Sequence, residues 1–157
     1  MRSLHQIWKA EDIGKPTKVL LYKTLLQSII LYNSEIWTLK EHHKKNIRVF
    51  EISVLRKISG ITKKDRRIKV DIMKKLLIEK DIIDFLKART LTYFGHVNCM
   101  GNDRFPKMLF HDHTHGHRSV RSRRKPEKKW LDNIRDDCED LNMSIIRPSR
   151  LTWNRNE

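Results

Sequence analysis

Two runs of cations carry the clearest chemistry in the chain. Arg56, Lys57, Lys63, Lys64, Arg66, Arg67 and Lys69 are seven positive charges opposed by one acid, Asp65. Arg118, Arg121, Arg123, Arg124, Lys125, Lys128 and Lys129 are opposed only by Glu127. Neighbouring cations repel one another unless an anion offsets them, and phosphate is the obvious offset, because each contact also releases a condensed counterion. A solvated charged face is the plainer alternative, and the second run could also serve as a nuclear-import signal. Neither run is interleaved with aromatic residues, so the expected mode is contact with the phosphate backbone and not base stacking.

Four histidines alternate in His111-Asp112-His113-Thr114-His115-Gly116-His117. On an extended backbone all four imidazoles would face one side and offer themselves to a borderline metal such as zinc. Dedicated zinc sites draw ligands from separated pairs, so the run reads as adventitious binding and not as a cofactor site. Asp136 and Asp137 are adjacent, as are the metal-holding acids of polymerases. A polymerase pair sits at a hairpin flanked by apolar strand residues, whereas these two are expected on the polar face of a helix with Asp132, Glu139 and Asp140. No nucleophile elbow supports a Ser-His-Asp or Cys-His arrangement. No catalytic residue, metal ligand or cofactor is therefore assigned.

The elements that must position these groups read as helices. The composition is 38% hydrophobic and 34% charged with five Gly and four Pro, which favours a mainly α protein over a disordered or many-turned β chain. The expected fold is a small bundle of four to six helices with a basic, largely irregular arm before the last one. Gly14-Lys15-Pro16-Thr17 starts a helix whose apolar residues, from Val19 to Tyr32, predict a buried core element too short and too interrupted to span a membrane. Thr38-Leu39-Lys40-Glu41 has a capping-box pattern; Ile47, Phe50, Val54, Leu55 and Ile58 follow at helical spacing until Gly60 supplies a left-handed stop.

Val70 to Leu77 predicts a short helix and Asp81 to about Cys99 a longer one, capped by Gly101. Phe105 to Phe110 is expected to form a turn or two, and the stretch from His111 to Lys125 a surface arm. Pro126 opens a last helix with Trp130, Ile134, Cys138 and Leu141 on one stripe. The expected division is 1–104 helical, 105–125 loop and basic arm, 126–157 final helix and tail. Cys99 and Cys138 lie far apart with no secretory leader, arguing against a disulfide framework and for an intracellular, reducing setting, nucleus or cytoplasm. The net charge of +15 points to polyanionic partners.

Taken in order, the blocks resemble one family. They are Ser28-Ile29-Ile30-Leu31-Tyr32-Asn33-Ser34-Glu35-Ile36-Trp37; Leu55-Arg56-Lys57-Ile58 with Gly60-Ile61 and Asp65-Arg66; Arg89, Leu91 and Tyr93-Phe94-Gly95-His96-Val97 with Met100, Asp103-Arg104 and Pro106-Lys107; Arg123-Arg124-Lys125-Pro126 with Trp130 and Asp132; and Arg150 with Trp153. From about Trp8 to Trp153 the chain resembles the region after the catalytic domain in endonuclease-reverse transcriptases of non-LTR (LINE-like) retrotransposons. It departs from the pattern at Asn33, where Gly is usual, at Asn98-Cys99 for Leu-Arg, and at Arg124-Lys125-Pro126 for Gly-Arg-Pro.

The resemblance implies a thumb-like helical part and a basic tail that grip RNA, DNA or their hybrid. In the family the endonuclease and the polymerase aspartates lie upstream of this region. A divalent metal is expected only for that upstream polymerase domain, itself an implied partner. The alternative is an inert or domesticated fragment serving as a basic interaction or localisation module.

Overall fold

A computed structural model describes residues 3–114 and 128–141 of the chain. The described residues form helices and turns, without a strand: α1 (Ser3–Lys9), α2 (Lys15–Leu21), a π turn (Tyr22–Gln27), α3 (Ser28–Leu31), α4 (Glu41–Ser59), α5 (Lys69–Lys75), α6 (Ile82–Cys99), α7 (Phe105–Thr114) and α8 (Trp130–Asp140). The mainly α class expected from composition is the observed one. No helix among the described residues is long and apolar enough to cross a membrane.

Two compact units divide the chain, one made of Met1–Ser34 with Lys40–Leu86 and the other of the described residues within Glu35–Leu39 and Lys87–Glu157. The boundary falls inside α6.

In the first unit α4 is the central strut. It begins one residue after Lys40, whose backbone N–H donates to His43 Nδ1 at 3.4 Å, two residues later than the Thr38 start expected from the sequence. It ends as expected at Gly60, which adopts φ 69°. The N–H groups of Gly60 and Ile61 then return to the carbonyls of Lys57 and Arg56 at 3.3 and 3.0 Å, so the last helical carbonyls are satisfied. Its apolar stripe buries Val54, Leu55 and Ile58 against Trp8, Val19, Tyr22, Leu26, Ile72, Leu76 and Ile78. Each fully buried aliphatic side chain contributes about 1.5–3 kcal/mol relative to exposure.

The helix expected to be wholly buried is not. Pro16 occupies the first turn of α2, and Val19, Tyr22 and Leu26 face the core. Leu20, Leu25 and Ile29 are exposed, Leu20 by 60% and Ile29 by 69%. The π turn is the physical reason these apolar residues share a register: one extra residue per turn places Leu20 and Leu25 a turn apart, after which α spacing carries the stripe to Ile29.

In the second unit Phe94 on α6 packs on Ile134 and Cys138 of α8, with Leu91, Trp130 and Leu131 around them. Helix α8 starts at Trp130 and not at Pro126; Lys129 is its N-cap, its backbone N–H bonded to Asp132 Oδ2 at 2.8 Å. Cys99 is exposed and Cys138 buried, both as free thiols.

Helix α7 runs ten residues, from Phe105 to Thr114, where a turn or two followed by an irregular arm was expected. Pro106 pre-sets its first turn, and neither glycine nor a second proline interrupts the run before Gly116, so nothing local stops the helix at Phe110.

Candidate nucleic-acid interface

The first basic run spans the end of α4, the turn after it and the start of α5. Arg56 and Lys57 stand in the last turn of α4, the correct end for cations in the field of the helix dipole. Lys63 and Lys64 lie in a 3-10 turn, Lys63–Asp65, and Arg66 caps that turn with φ 47°. Lys57, Lys63, Lys64, Arg66 and Arg67 are exposed, and Arg56 is half-buried. None of these six forms an ion pair with another described residue. Clustered cations not ion-paired to a described acid favour phosphate.

The one acid among them does not neutralise its neighbours; it braces the turn. Asp65 Oδ2 accepts from the backbone N–H of Thr62 at 2.7 Å and from the Thr62 hydroxyl at 2.9 Å. Those two bonds, backbone first, hold the Asp65 carboxyl below the usual carboxylate range, with Arg67 adding to the effect.

Lys69 departs from the expected set. Its Nζ lies 2.6 Å from Glu51 Oε2 and 2.6 Å from Asp81 Oδ2, so this cation is committed to two carboxylates and is not available to phosphate. Glu51 is 1% exposed, and its Oε1 accepts from the Tyr22 hydroxyl at 2.9 Å and from the backbone N–H of Ile82 at 3.1 Å. Burial pushes the Glu51 carboxyl up, and the neighbouring Asp81 adds to this against the opposing pull of Lys69. For Asp81 burial raises, but the bonds from Glu51, Lys69 and the Ile83 N–H outweigh it and hold its carboxyl down. Tyr22 is pushed far above the ordinary phenol range by burial and by Glu51 beside it.

The network escaped the reading of the sequence, although a signal was there. Glu51 falls four residues after Ile47 and three before Val54, on the apolar stripe of α4. A carboxylate in a core register requires a buried cation or donors.

Of the second run, Lys128 and Lys129 are described, while Arg118, Arg121, Arg123, Arg124 and Lys125 lie outside the described residues. Lys128 pairs with Asp136 at 2.6 Å. Lys129 is exposed. Asp137 corrects the expected solvated acidic face: it is 4% exposed, 3.6 Å from Lys87 Nζ, on the buried side of α8 with Ile134 and Cys138. It is therefore not paired with Asp136 toward a common ion.

His115 and His117 lie outside the described residues, and the backbone at His111–Thr114 is helical, not the extended one on which four aligned imidazoles depend. Among the described residues no group of three His, Cys, Asp or Glu side chains could hold a metal ion. A groove of about 460 Å³ is lined by Val70, Met73, Lys74, Leu77, Ile78 and Glu79, with no Ser, Thr, Cys or His among them.

Several residues of the family-like blocks meet in the second unit. The Trp130 indole N–H donates to the carbonyl of Glu35 at 2.8 Å, and its ring sits edge-on to Tyr93 at 6.1 Å. The Glu35 carboxylate lies 3.9 Å from Arg89. Lys107 donates to the carbonyls of Asn98 and Met100 at 2.9 and 2.7 Å, closing the end of α6 where Gly101 was expected to cap it. Val97 is buried and His96 exposed. Of these block residues, Glu35, Arg89, Leu91, Tyr93, Phe94 and Trp130 form one packing node. Arg150 and Trp153 lie outside the described residues.

No family model matches the chain and no solved structure matches it. In sequence it is similar to an uncharacterized transposon-derived protein of Caenorhabditis elegans, 23% identical over 139 residues, covering 85% of this chain and 49% of that protein. The chain thus spans about half the length of this curated relative, and its sequence relationship is to a transposon-derived protein.

Proposed function

We propose that the chain is a carboxy-terminal region of a retroelement reverse transcriptase, contributing sequence-independent grip on nucleic acid and no catalysis of its own. The observation that carries this is the set of six cations, Arg56, Lys57, Lys63, Lys64, Arg66 and Arg67, presented without ion-pair partners among the described residues on one helix end and the turn beyond it. Relationship to a transposon-derived protein and the ordered family-like blocks support the retroelement part. Backbone phosphate of RNA, DNA or their hybrid is the ligand, since the cations lack aromatic neighbours that would read bases.

Binding of duplex DNA and of an RNA–DNA hybrid, followed by fluorescence anisotropy across a salt series, tests the proposal. If all six cations meet phosphates, the slope of log K against log salt on duplex DNA is about −5. Replacing Lys63 and Lys64 by Gln should reduce that slope by about 2 and weaken all sequences alike. A flat salt dependence, or no binding at low salt, defeats the proposal.

A further inference from the structure

We infer that Glu51, which is buried and touches no surface, is a positioning residue for the basic turn: it holds Lys69 and thereby fixes the geometry in which Lys63, Lys64, Arg66 and Arg67 are offered to phosphate. The inference rests on the nucleic-acid reading given above.

Four cations within five residues repel one another and would spread a free loop. This turn is pinned at three places. At its start, Gly60 in the left-handed conformation and the bond from Ile61 N–H to the Arg56 carbonyl, 3.0 Å, lock its exit from α4. In its middle, Asp65 holds Thr62 through two bonds of 2.7 and 2.9 Å. At its end, the Lys69 ammonium is drawn inward by Glu51 and Asp81, each at 2.6 Å.

The third pin is the one with deep anchorage. Glu51 uses both oxygens, Oε2 for Lys69 and Oε1 for the Tyr22 hydroxyl and the Ile82 N–H. It therefore ties the turn to the π turn, to α4 and to the start of α6 in one cluster. A phosphate-binding surface held in its bound geometry before the ligand arrives loses less freedom on binding.

Charge and position make opposite predictions for Glu51→Gln. The substitution replaces a carboxyl group by a neutral amide in a chain of net charge +15, so simple Coulomb attraction predicts equal or tighter polyanion binding. The Gln amide can still accept from Tyr22 and Ile82, but it presents an NH2 group to the Lys69 ammonium, so the buried half of the pin is lost and Lys69 is left to the more exposed Asp81.

The experiment measures duplex-DNA affinity against salt for the full chain and for Glu51→Gln, Asp65→Ala and a control, Asp12→Asn, on an exposed residue. Amide hydrogen exchange of residues 61–69 is followed in parallel. The expected result is that Glu51→Gln binds more weakly, on the order of tenfold at low salt, with a shallower salt slope. Exchange in the turn should accelerate, and Asp12→Asn should bind as well as the original chain or slightly better. A protein that was merely less folded would keep the original slope.

Equal or tighter binding by Glu51→Gln, or unchanged exchange in the turn, overturns the inference. Should Glu51→Gln fail to fold, Asp65→Ala decides, since it removes the acceptor that forms the middle pin from an exposed position: weaker binding supports the inference and equal or tighter binding overturns it. If the unsubstituted chain binds no DNA, the nucleic-acid reading itself has failed, which the exchange data distinguish from a failure of the pin.

Discussion

Three side-chain-bearing residues adopt positive φ, Asn33 at 53°, Arg66 at 47° and Leu77 at 54°, and they differ in how well their chemistry suits it. Asn33 accepts the left-handed region through its short polar side chain. Leu77 has no such excuse. It follows α5, with its N–H bonded to the Lys74 carbonyl at 3.2 Å and the Ile78 N–H to the Met73 carbonyl at 3.0 Å, a helix stop in which glycine is the preferred residue. Its side chain is 85% exposed and so recovers little by packing. Leu77→Gly should therefore stabilise the fold by about 1 kcal/mol, raising Tm by roughly 2–4 °C in thermal unfolding. No change or a fall would mean that the leucine packs against something. The Asn33 turn and the Gly60 stop were legible in the sequence because residue type alone announces them. Glu51 and Lys69 were not, because their partnership spans 18 residues and periodicity carries no record of what faces a stripe.

Elements were legible where caps and stripes coincide, as in α4, and misread where one signal was asked to stand for two. Apolar content around α2 and α3 predicted burial, but the π turn sorts the apolar residues into a core set and an exposed set. The two sets should respond differently to substitution. Leu26→Ala, in the core, should cost about 2–5 kcal/mol in chemical denaturation. Leu25→Lys and Ile29→Lys should stay within about 0.5 kcal/mol of the original. Comparable losses at all three positions would place the stripe in a core. Between α6 and α8, Lys87 Nζ reaches Asp140 Oδ2 at 2.5 Å and Asp137 Oδ1 at 3.6 Å. Burial lowers the Lys87 pKa, but the bond to Asp140 and the charges of both acids prevail and hold it above the ordinary lysine value. A raised lysine stabilises the fold below its unfolded value, about 10.4, and loses that contribution as pH climbs through the folded value. Thermal melts from pH 9 to beyond 11 should thus show an alkaline fall in Tm that is smaller in Lys87→Met; equal falls would show that the pair adds nothing.

At the scale of the molecule, the sign of the charge was plain from composition, whereas the number of free cations was not. Lys69 and Lys128 are held by acids, leaving the six of the α4 end and its turn, and separately Lys129, as the described cations of the two runs that no ion pair holds among the described residues. Salt acts on the two consequences of that surplus in opposite directions. Raising ionic strength from 0.01 to 1 M shortens the screening length from about 30 to about 3 Å, which relieves repulsion among exposed cations and weakens phosphate contacts. The Glu51–Lys69 pair is screened less, because Glu51 is buried and Lys69 only part-exposed. Without a ligand, Tm should therefore rise with salt. With duplex DNA present, Tm should be highest at low salt, by about 2.7 kcal/mol of linkage at a hundredfold excess over Kd, and this increment should vanish as salt rises. The two melting curves, with and without DNA, should converge at high salt. A Tm that falls with salt in the absence of DNA would mean that exposed attractions outweigh repulsion, so that the six cations are already balanced and have no need of phosphate.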